Sequence, residues 1–112
     1  MDERLQLLEC LMDNLKDPFV FVDAEHIIQY MNRGAVDHYR GKPAQVGKSI
    51  FACHNEDSKR IILDVFESFR KGENERMIVD DERQRVYMRA VRDKEGNLLG
   101  YFERFQPLKE SV

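Results

Sequence analysis

Residues 41–56, GKPAQVGKSIFACHNE, contain fragments of two catalytic motifs. The GKS at 47–49 is the ending of a phosphate-binding P-loop, and the HNE at 54–56 has the His-x-Glu form with which zinc deaminases begin. A complete P-loop would bind nucleotide phosphates, and a complete deaminase motif would activate a zinc-bound water. The other residues of each motif decide whether either chemistry is available.

Both motifs are incomplete. A P-loop has four residues between its first glycine and its Gly-Lys-Ser, because that length wraps backbone amides around the phosphates. Here five residues separate Gly41 from Gly47, and Pro43 removes one amide. A zinc deaminase needs two further cysteines in a Pro-Cys-x-x-Cys element, but no cysteine follows Cys53. Since no Ser-His-Asp or Cys-His set is evident either, the sequence favours a binding domain over an enzyme.

Length and charge narrow the function further. The 112 residues are enough for one domain with a single core. Their 18 Lys and Arg are interspersed with 21 Asp and Glu, so no basic stripe would attract nucleic acid. No apolar run approaches the roughly 20 residues that span a bilayer, and charged residues at 2–4 replace the apolar stretch of a signal peptide. We expect a cytoplasmic protein that binds neither nucleic acid nor membrane, with Cys10 and Cys53 reduced.

The first element is predicted to be an amphipathic helix over residues 2–16, stopped by Asp17-Pro18. Two heptads are too short for a stable coiled coil alone, so the helix must pack on its own domain or pair with another copy. Because Leu7 and Leu11 widen the apolar seam beyond one contact, we expect a homodimer. Its interface residues would be Leu5, Leu8, Met12 and Leu15. The alternative is a monomer whose helix folds back on its own sheet.

The remaining elements alternate between strands and helices. A hairpin of Pro18–Val22 and Ile27–Met31 is followed by a short helix that Asn32 caps and Gly41 ends. A long helix runs from about Asn55 to Lys71, between the caps Asn55 and Gly72. Its buried stripe is Ile61, Ile62, Val65, Phe66 and Phe69.

Three strand-like runs close the sequence: Glu75–Val79, Arg85–Arg92 and Leu98–Gln106. Their alternation of apolar and polar residues, and the polar turns between them, are typical of antiparallel strands with one solvent-exposed face. The sequence therefore predicts an α+β fold with a five-stranded antiparallel sheet, to which both ends of the chain contribute strands.

Three stretches in this order resemble the PAS domain family over about residues 5–108. LMDNLKDPFVFVDAEHIIQYMNRGAVDHY is similar to the family's lead-in helix, first two strands and following helix. VGKSIFACHNEDSKRIILDVFESFRKGE resembles the loop and long helix over the family's cavity, and VYMRAVRDKEGNLLGYFERFQPL resembles its closing hairpin. The resemblance implies a PAS-like fold with an N-terminal lead-in helix at 1–17, a PAS domain at 18–108 and a polar tail at 109–112.

The resemblance also implies a function: a non-catalytic sensory or signalling module with a cavity between the inner sheet face and the helices. PAS strands are often followed by Asp-Ile-Thr and an effector helix, whereas this chain continues FQPLKESV. Output could therefore pass through the N-terminal helix to a signalling partner, or through a larger protein of which this domain is a part. A cofactor-dependent enzyme is the rival class.

The cavities of PAS domains hold flavin, haem, small organic ligands or nothing, so the cofactor stays unknown. FACHNED does not match the Asn-Cys-Arg-Phe-Leu-Gln motif of the flavin light sensors, which disfavours a flavin adduct. In a haem sensor, His54 or Cys53 would ligate the iron. The alternative is that His54 caps the long helix and Cys53 is a buried hydrophobe. Candidate cavity walls are Phe51, Ile61, Val65, Phe69, Met77, Met88 and Tyr101.

Overall fold

A computed structural model describes residues 2–40 and 45–108 of the chain. The helices are α1 (Glu3–Asp13), α2 (Arg33–His38), α3 (Glu56–Arg70) and a short 3-10 helix (Ile50–Cys53). The strands are β1 (Phe19–Asp23), β2 (Ile28–Met31), β3 (Glu75–Asp80), β4 (Gln84–Arg92) and β5 (Leu98–Pro107). The predicted helix end at Gly41 and the predicted polar tail at 109–112 lie outside the described residues. None of the helices within the described ranges is long and apolar enough to cross a bilayer.

The predicted five-stranded antiparallel sheet is confirmed, with the strand order β2-β1-β5-β4-β3. β5 is the central strand and pairs with β1 on one side and β4 on the other. Residue Glu103 of β5 lies opposite Val20 of β1 and Met88 of β4. Since side chains at paired positions point to the same face of a sheet, these three residues share the inner face.

The core lies between this inner face and α3. The buried residues of α3 are Ile62, Val65, Phe66 and Phe69, which recur at helical spacing and form one stripe. Ile61, which the sequence analysis included in that stripe, is 45% exposed. The helix buries four of the five predicted residues because an apolar stripe of this spacing covers only about a third of the helix circumference.

Polar contacts fix both ends of α3. At its start, Asn55 Oδ1 accepts a hydrogen bond from the Ser58 amide at 2.8 Å. At its end, Gly72 adopts a φ of +116°, a left-handed conformation that glycine tolerates best. The Arg92 guanidinium of β4 donates to the Phe69 carbonyl at 2.6 Å and so attaches the end of the helix to the sheet. The two caps predicted from the sequence are therefore confirmed.

The N-terminal helix is shorter than predicted. Asp2 caps α1 by accepting from the Arg4 amide at 2.9 Å. The helix ends at Asp13, where the Asn14 side chain donates to the Cys10 carbonyl at 2.9 Å and satisfies a carbonyl of the last turn. As a result Leu15 lies beyond the helix and not on its face. No residue of α1 is buried, although the helix borders the outer face of the sheet.

One buried side chain holds α1, the first strand and α2 together. Asn32 is fully buried, and its Oδ1 accepts from the amides of Phe19 and Ala35, both at 2.9 Å. Its Nδ2 donates to the carbonyls of Met12 at 2.8 Å and Asp17 at 3.2 Å. The side chain thus makes four hydrogen bonds, the full capacity that its donors and one oxygen normally reach.

We expect Asn32→Ala to destabilise the protein by about 3 kcal/mol or more, because it leaves several backbone groups near the core without partners. Asn97→Ala is the matched control, since Asn97 makes an exposed side-chain bond to Asp93 and should cost less than about 1 kcal/mol. Urea denaturation of both variants measures the two losses. Similar losses in the two variants would show that Asn32 does not hold the elements together.

Candidate functional site

A cavity of about 170 Å³ lies between α3 and the inner face of the sheet at its β3 and β4 side. Its lining residues come from the position directly after α2, from the position before α3 and the first half of that helix, and from β3, β4 and β5. They are Tyr39, His54, Ser58, Ile61, Ile62, Ile78, Val79, Gln84, Val86, Glu103 and Phe105. The wall is mainly apolar, with a few polar groups of the kind that fix the orientation of a ligand.

Glu103 is the charged group of this wall. Its side chain is 2% exposed, because the alternation of β5 places it between the inward residues Tyr101 and Phe105. Within residues 2–40 and 45–108, no hydrogen-bond donor reaches Glu103 Oε2. A buried carboxylate oxygen without a donor costs free energy, of the order of 1–3 kcal/mol or more. The carboxylate therefore distinguishes this cavity from an ordinary packing gap.

His54 lies on the same cavity, directly before α3. Its Nδ1 is 2.8 Å from the Ile50 carbonyl, and because a carbonyl only accepts, Nδ1 carries the hydrogen. In the neutral ring the proton-accepting nitrogen is then Nε2. His54 does not cap α3, since Asn55 takes that position. The predicted capping role of His54 is therefore wrong, and it instead ends the short 3-10 helix.

Burial raises the pKa of Glu103 above its ordinary value of 4.5, and the nearby His54 opposes this rise. The cavity wall thus contains a buried acid that holds its proton to a higher pH than an exposed glutamate would. Such a wall can accept a hydrogen bond from a ligand or exchange a proton with it. Among the described residues, no group of three or more His, Cys, Asp or Glu side chains could hold a metal ion.

The predicted cavity residues lie partly in the cavity lining, partly in the core and partly on the surface. His54 and Ile61 line the cavity, and Ile61 is exposed at its rim. Met77 does not line it: its side chain is 43% exposed, and Ile78 and Val79 face the cavity. Met77 pairs with Tyr87 on the outer face, and a bulge between Met77 and Val79 then interrupts the alternation, so that both following residues reach the cavity.

The other predicted walls belong to the core and not to the cavity lining. Val65, Phe69, Met88 and Tyr101 are fully buried within the core cluster, and Phe51 packs against it partly buried. Cys53 ends the 3-10 helix, and its side chain lies outside what the structure describes. The predicted site residues therefore lie around one core, but only some of them meet at the cavity.

Tyr101 contacts His26, which lies in the turn between β1 and β2. The Tyr101 hydroxyl and His26 Nδ1 are 3.0 Å apart, and the His26 ring packs against Phe51 and Phe66 with centroids 5.0 Å away in each case. Burial lowers the pKa of His26 and raises that of Tyr101. This pair closes the core beneath the hairpin turn, away from the Glu103 cavity.

Sequence reasoning missed Glu103, although a signal for it was present. The last predicted strand alternates, and Glu103 falls in phase with Tyr101 and Phe105 on the apolar face. A charged residue in phase with an apolar face is an exception that points to a functional position. The polar residues Tyr39, Ser58 and Gln84 had no such signal, because the tertiary fold brings them to the cavity.

Haem and flavin do not fit this cavity. Pockets for drug-sized ligands have about 300–1,000 Å³, and both cofactors are larger than such ligands, whereas this cavity has about 170 Å³. The geometry favours a much smaller ligand.

The comparisons with known proteins identify the family. A sequence model described as PAS domain matches residues 8–109, most of the chain. The chain therefore belongs to the PAS domain family, as its resemblance implied. No curated protein matches it.

Solved structures agree on the fold. A C-terminal domain from Streptococcus mutans is 26% identical with a TM-score of 0.77, covering 94% of this chain and 85% of its own. The PAS domain of BvgS from Bordetella pertussis is 18% identical with a TM-score of 0.70, covering 97% and 89%. The Aer2 receptor from Vibrio cholerae, described as a dual PAS-haem oxygen sensor, is 21% identical with a TM-score of 0.54, covering 83% and 95%.

The raised pKa of Glu103 predicts how stability depends on pH. The folded state keeps the Glu103 proton above pH 4.5, where the unfolded state releases it, so the free energy of unfolding falls as pH rises through this window. Glu103→Gln has no proton to lose. We expect the variant to gain stability relative to wild type between about pH 4.5 and pH 7, as measured by urea denaturation.

Glu95→Gln is the control for this measurement, because Glu95 is exposed in the turn before β5. The free energy of unfolding of the Glu95→Gln variant should equal that of the wild type at every pH. A constant difference between Glu103→Gln and wild type across the same range would show that Glu103 titrates normally in the folded state.

Proposed function

We propose that this PAS domain is a non-catalytic sensory module that binds a small ligand in the Glu103 cavity. The single observation that carries the proposal is the buried Glu103 Oε2, which borders the cavity and has no donor within the described parts of the chain. A ligand that donates a hydrogen bond there would remove the cost of the buried oxygen. This gain in free energy exists only when the ligand is bound. A sensor needs such a difference between its free and bound states.

Strand β5 offers a route from the cavity to the outer surface. Glu103 points inward, and its neighbours Phe102 and Arg104 point to the opposite face. The Phe102 ring stacks on that of Phe19 with centroids 4.4 Å apart, and both rings border a groove beside α1. A ligand that shifts β5 would therefore change this groove, provided that β5 has two discrete positions.

The ligand itself can be sought in a metabolite extract. Wild-type protein labelled with ¹⁵N would be mixed with small molecules extracted from the expression host, and backbone amide shifts of cavity residues would be followed. We expect shifts for residues of α3 and β5, and loss of these shifts in Ser58→Phe, which fills the cavity from α3. Arg60→Phe is the matched control, because Arg60 is exposed on the same helix and does not line the cavity.

Two results would contradict the proposal. One is an extract that shifts no cavity residue of the wild-type protein. The other is a set of shifts that Ser58→Phe leaves intact, because the ligand would then bind elsewhere. A Soret band in the absorbance spectrum of freshly purified protein would replace the small ligand with haem.

The output surface that we propose is a homodimer interface on α1. Leu5 and Leu8 are about half exposed, at 50% and 52%, and Leu15 is 45% exposed. Leu5, Leu8 and Met12 line an apolar groove of about 450 Å³ together with outer-face residues of the sheet. Leu15 borders a separate depression beside Phe19 and Arg104. A second copy would cover this apolar surface by a symmetric contact, and a signalling protein partner is the other candidate.

Leu8→Glu tests the interface, because a carboxylate in an apolar contact has no partner and must be desolvated. We expect the dimer dissociation constant to rise about tenfold or more, measured by sedimentation velocity at micromolar concentrations. Leu63→Glu is the matched control: Leu63 is a 40% exposed leucine on α3, and its replacement should leave association unchanged. A wild-type chain that stays monomeric at high micromolar concentration would rule out the homodimer.

A further inference from the structure

The chemistry of the Glu103 cavity narrows the class of ligand that the proposed function requires. The volume of about 170 Å³ is close to that of an engineered protein cavity, about 150 Å³, that binds benzene. The cavity therefore has room for one six-membered ring with a small substituent. Ligands of the size of flavin or haem exceed it.

The walls divide into an apolar part and a polar part. Ile62, Val86 and Phe105 are buried and offer carbon surface on α3, β4 and β5. Glu103 adds the buried carboxylate, which accepts hydrogen bonds when ionised and has no donor at Oε2 in the described structure. This arrangement complements a flat apolar body that carries one donor at its edge.

The donor is best supplied by nitrogen. A buried carboxylate is stabilised by a donor that also brings positive charge or can take up a proton, because burial penalises the charged form of the acid. His54 already opposes the rise of the Glu103 pKa, so the ligand need not be permanently charged. A weakly basic nitrogen with an N–H group meets both conditions.

We infer that the cavity binds a single-ring aromatic amine or N–H heterocycle of weak basicity, with its nitrogen donating to Glu103 Oε2 and its ring between Ile62, Val86 and Phe105. This inference depends on the proposed function, since it names the ligand class of the same cavity. Glu103 acts in it as the residue that determines specificity.

Aniline and toluene form a matched pair of probes, because the amino group of aniline replaces a methyl group of nearly the same size. Their dissociation constants would be measured from amide shifts in the wild-type protein. We expect aniline to bind at least about tenfold more tightly than toluene, as a charge-assisted hydrogen bond in a buried site provides. In Glu103→Gln the preference should fall to less than about threefold. Glu95→Gln, which is remote from the cavity and exposed, should keep it.

A second measurement does not depend on the folding of any variant. In the wild-type complex, nuclear Overhauser effects should join the aniline ring to Val86 and Phe105 and place its amino end beside the Glu103 side chain. An amino end placed among the apolar walls would overturn the inference, as would equal binding of the two probes. Failure of both probes to bind would overturn it too.

These outcomes separate the ligand class from the proposed function. If aniline and toluene bind equally and Ser58→Phe abolishes the binding of both, the cavity binds ligands. Only the proposed role of Glu103 in specificity is then contradicted. If the metabolite extract shifts cavity residues while aniline does not bind, the sensory proposal stands with a different ligand class.

Discussion

The buried amide of Asn32 is the interaction on which the arrangement of the N-terminal half depends. Four backbone groups from α1, the segment before β1, β1 itself and α2 converge on this one side chain. Because a buried polar group without a partner is costly, these elements can adopt few other relative positions. α1 is therefore held by polar bonds at its C-terminal end, while its leucines remain exposed along the outer face. Rigid attachment at one end and an uncovered apolar surface at the other suit a helix that contacts a partner.

The central position of β5 connects this outer surface to the cavity. β5 pairs with both β1 and β4, so a change in its position must be shared by the neighbouring strands. Close contact limits that movement at one end: Gly100 has a φ of +155°, and a Cβ there would collide with the Val22 carbonyl oxygen of β1. The end of β5 near Gly100 is thus fixed against β1.

Local signals in the sequence were sufficient for the elements and their caps. Asn32, Asn55 and Gly72 occupy the predicted capping positions because capping depends on neighbours within four residues. Features outside the apolar pattern decided the rest. The early end of α1 follows from the Asn14 cap, and the outward position of Met77 follows from its pairing with Tyr87 of β4. The cavity lining was harder still, because residues as distant as Tyr39 and Phe105 meet there only in the folded chain.

Glu103 is an exception to the apolar pattern of the inner sheet face. On the inward face of β5, the residues on either side of Glu103 are the aromatic residues Tyr101 and Phe105. At Glu103 the same face carries a carboxylic acid instead. An apolar residue of similar size would avoid the desolvation of the acid and would be expected to raise stability. Val20 and Met88, which lie opposite Glu103 on the neighbouring strands, are both fully buried apolar residues. The ligand that we propose accounts for this buried acid, because it would supply the donor that Oε2 lacks within the described residues.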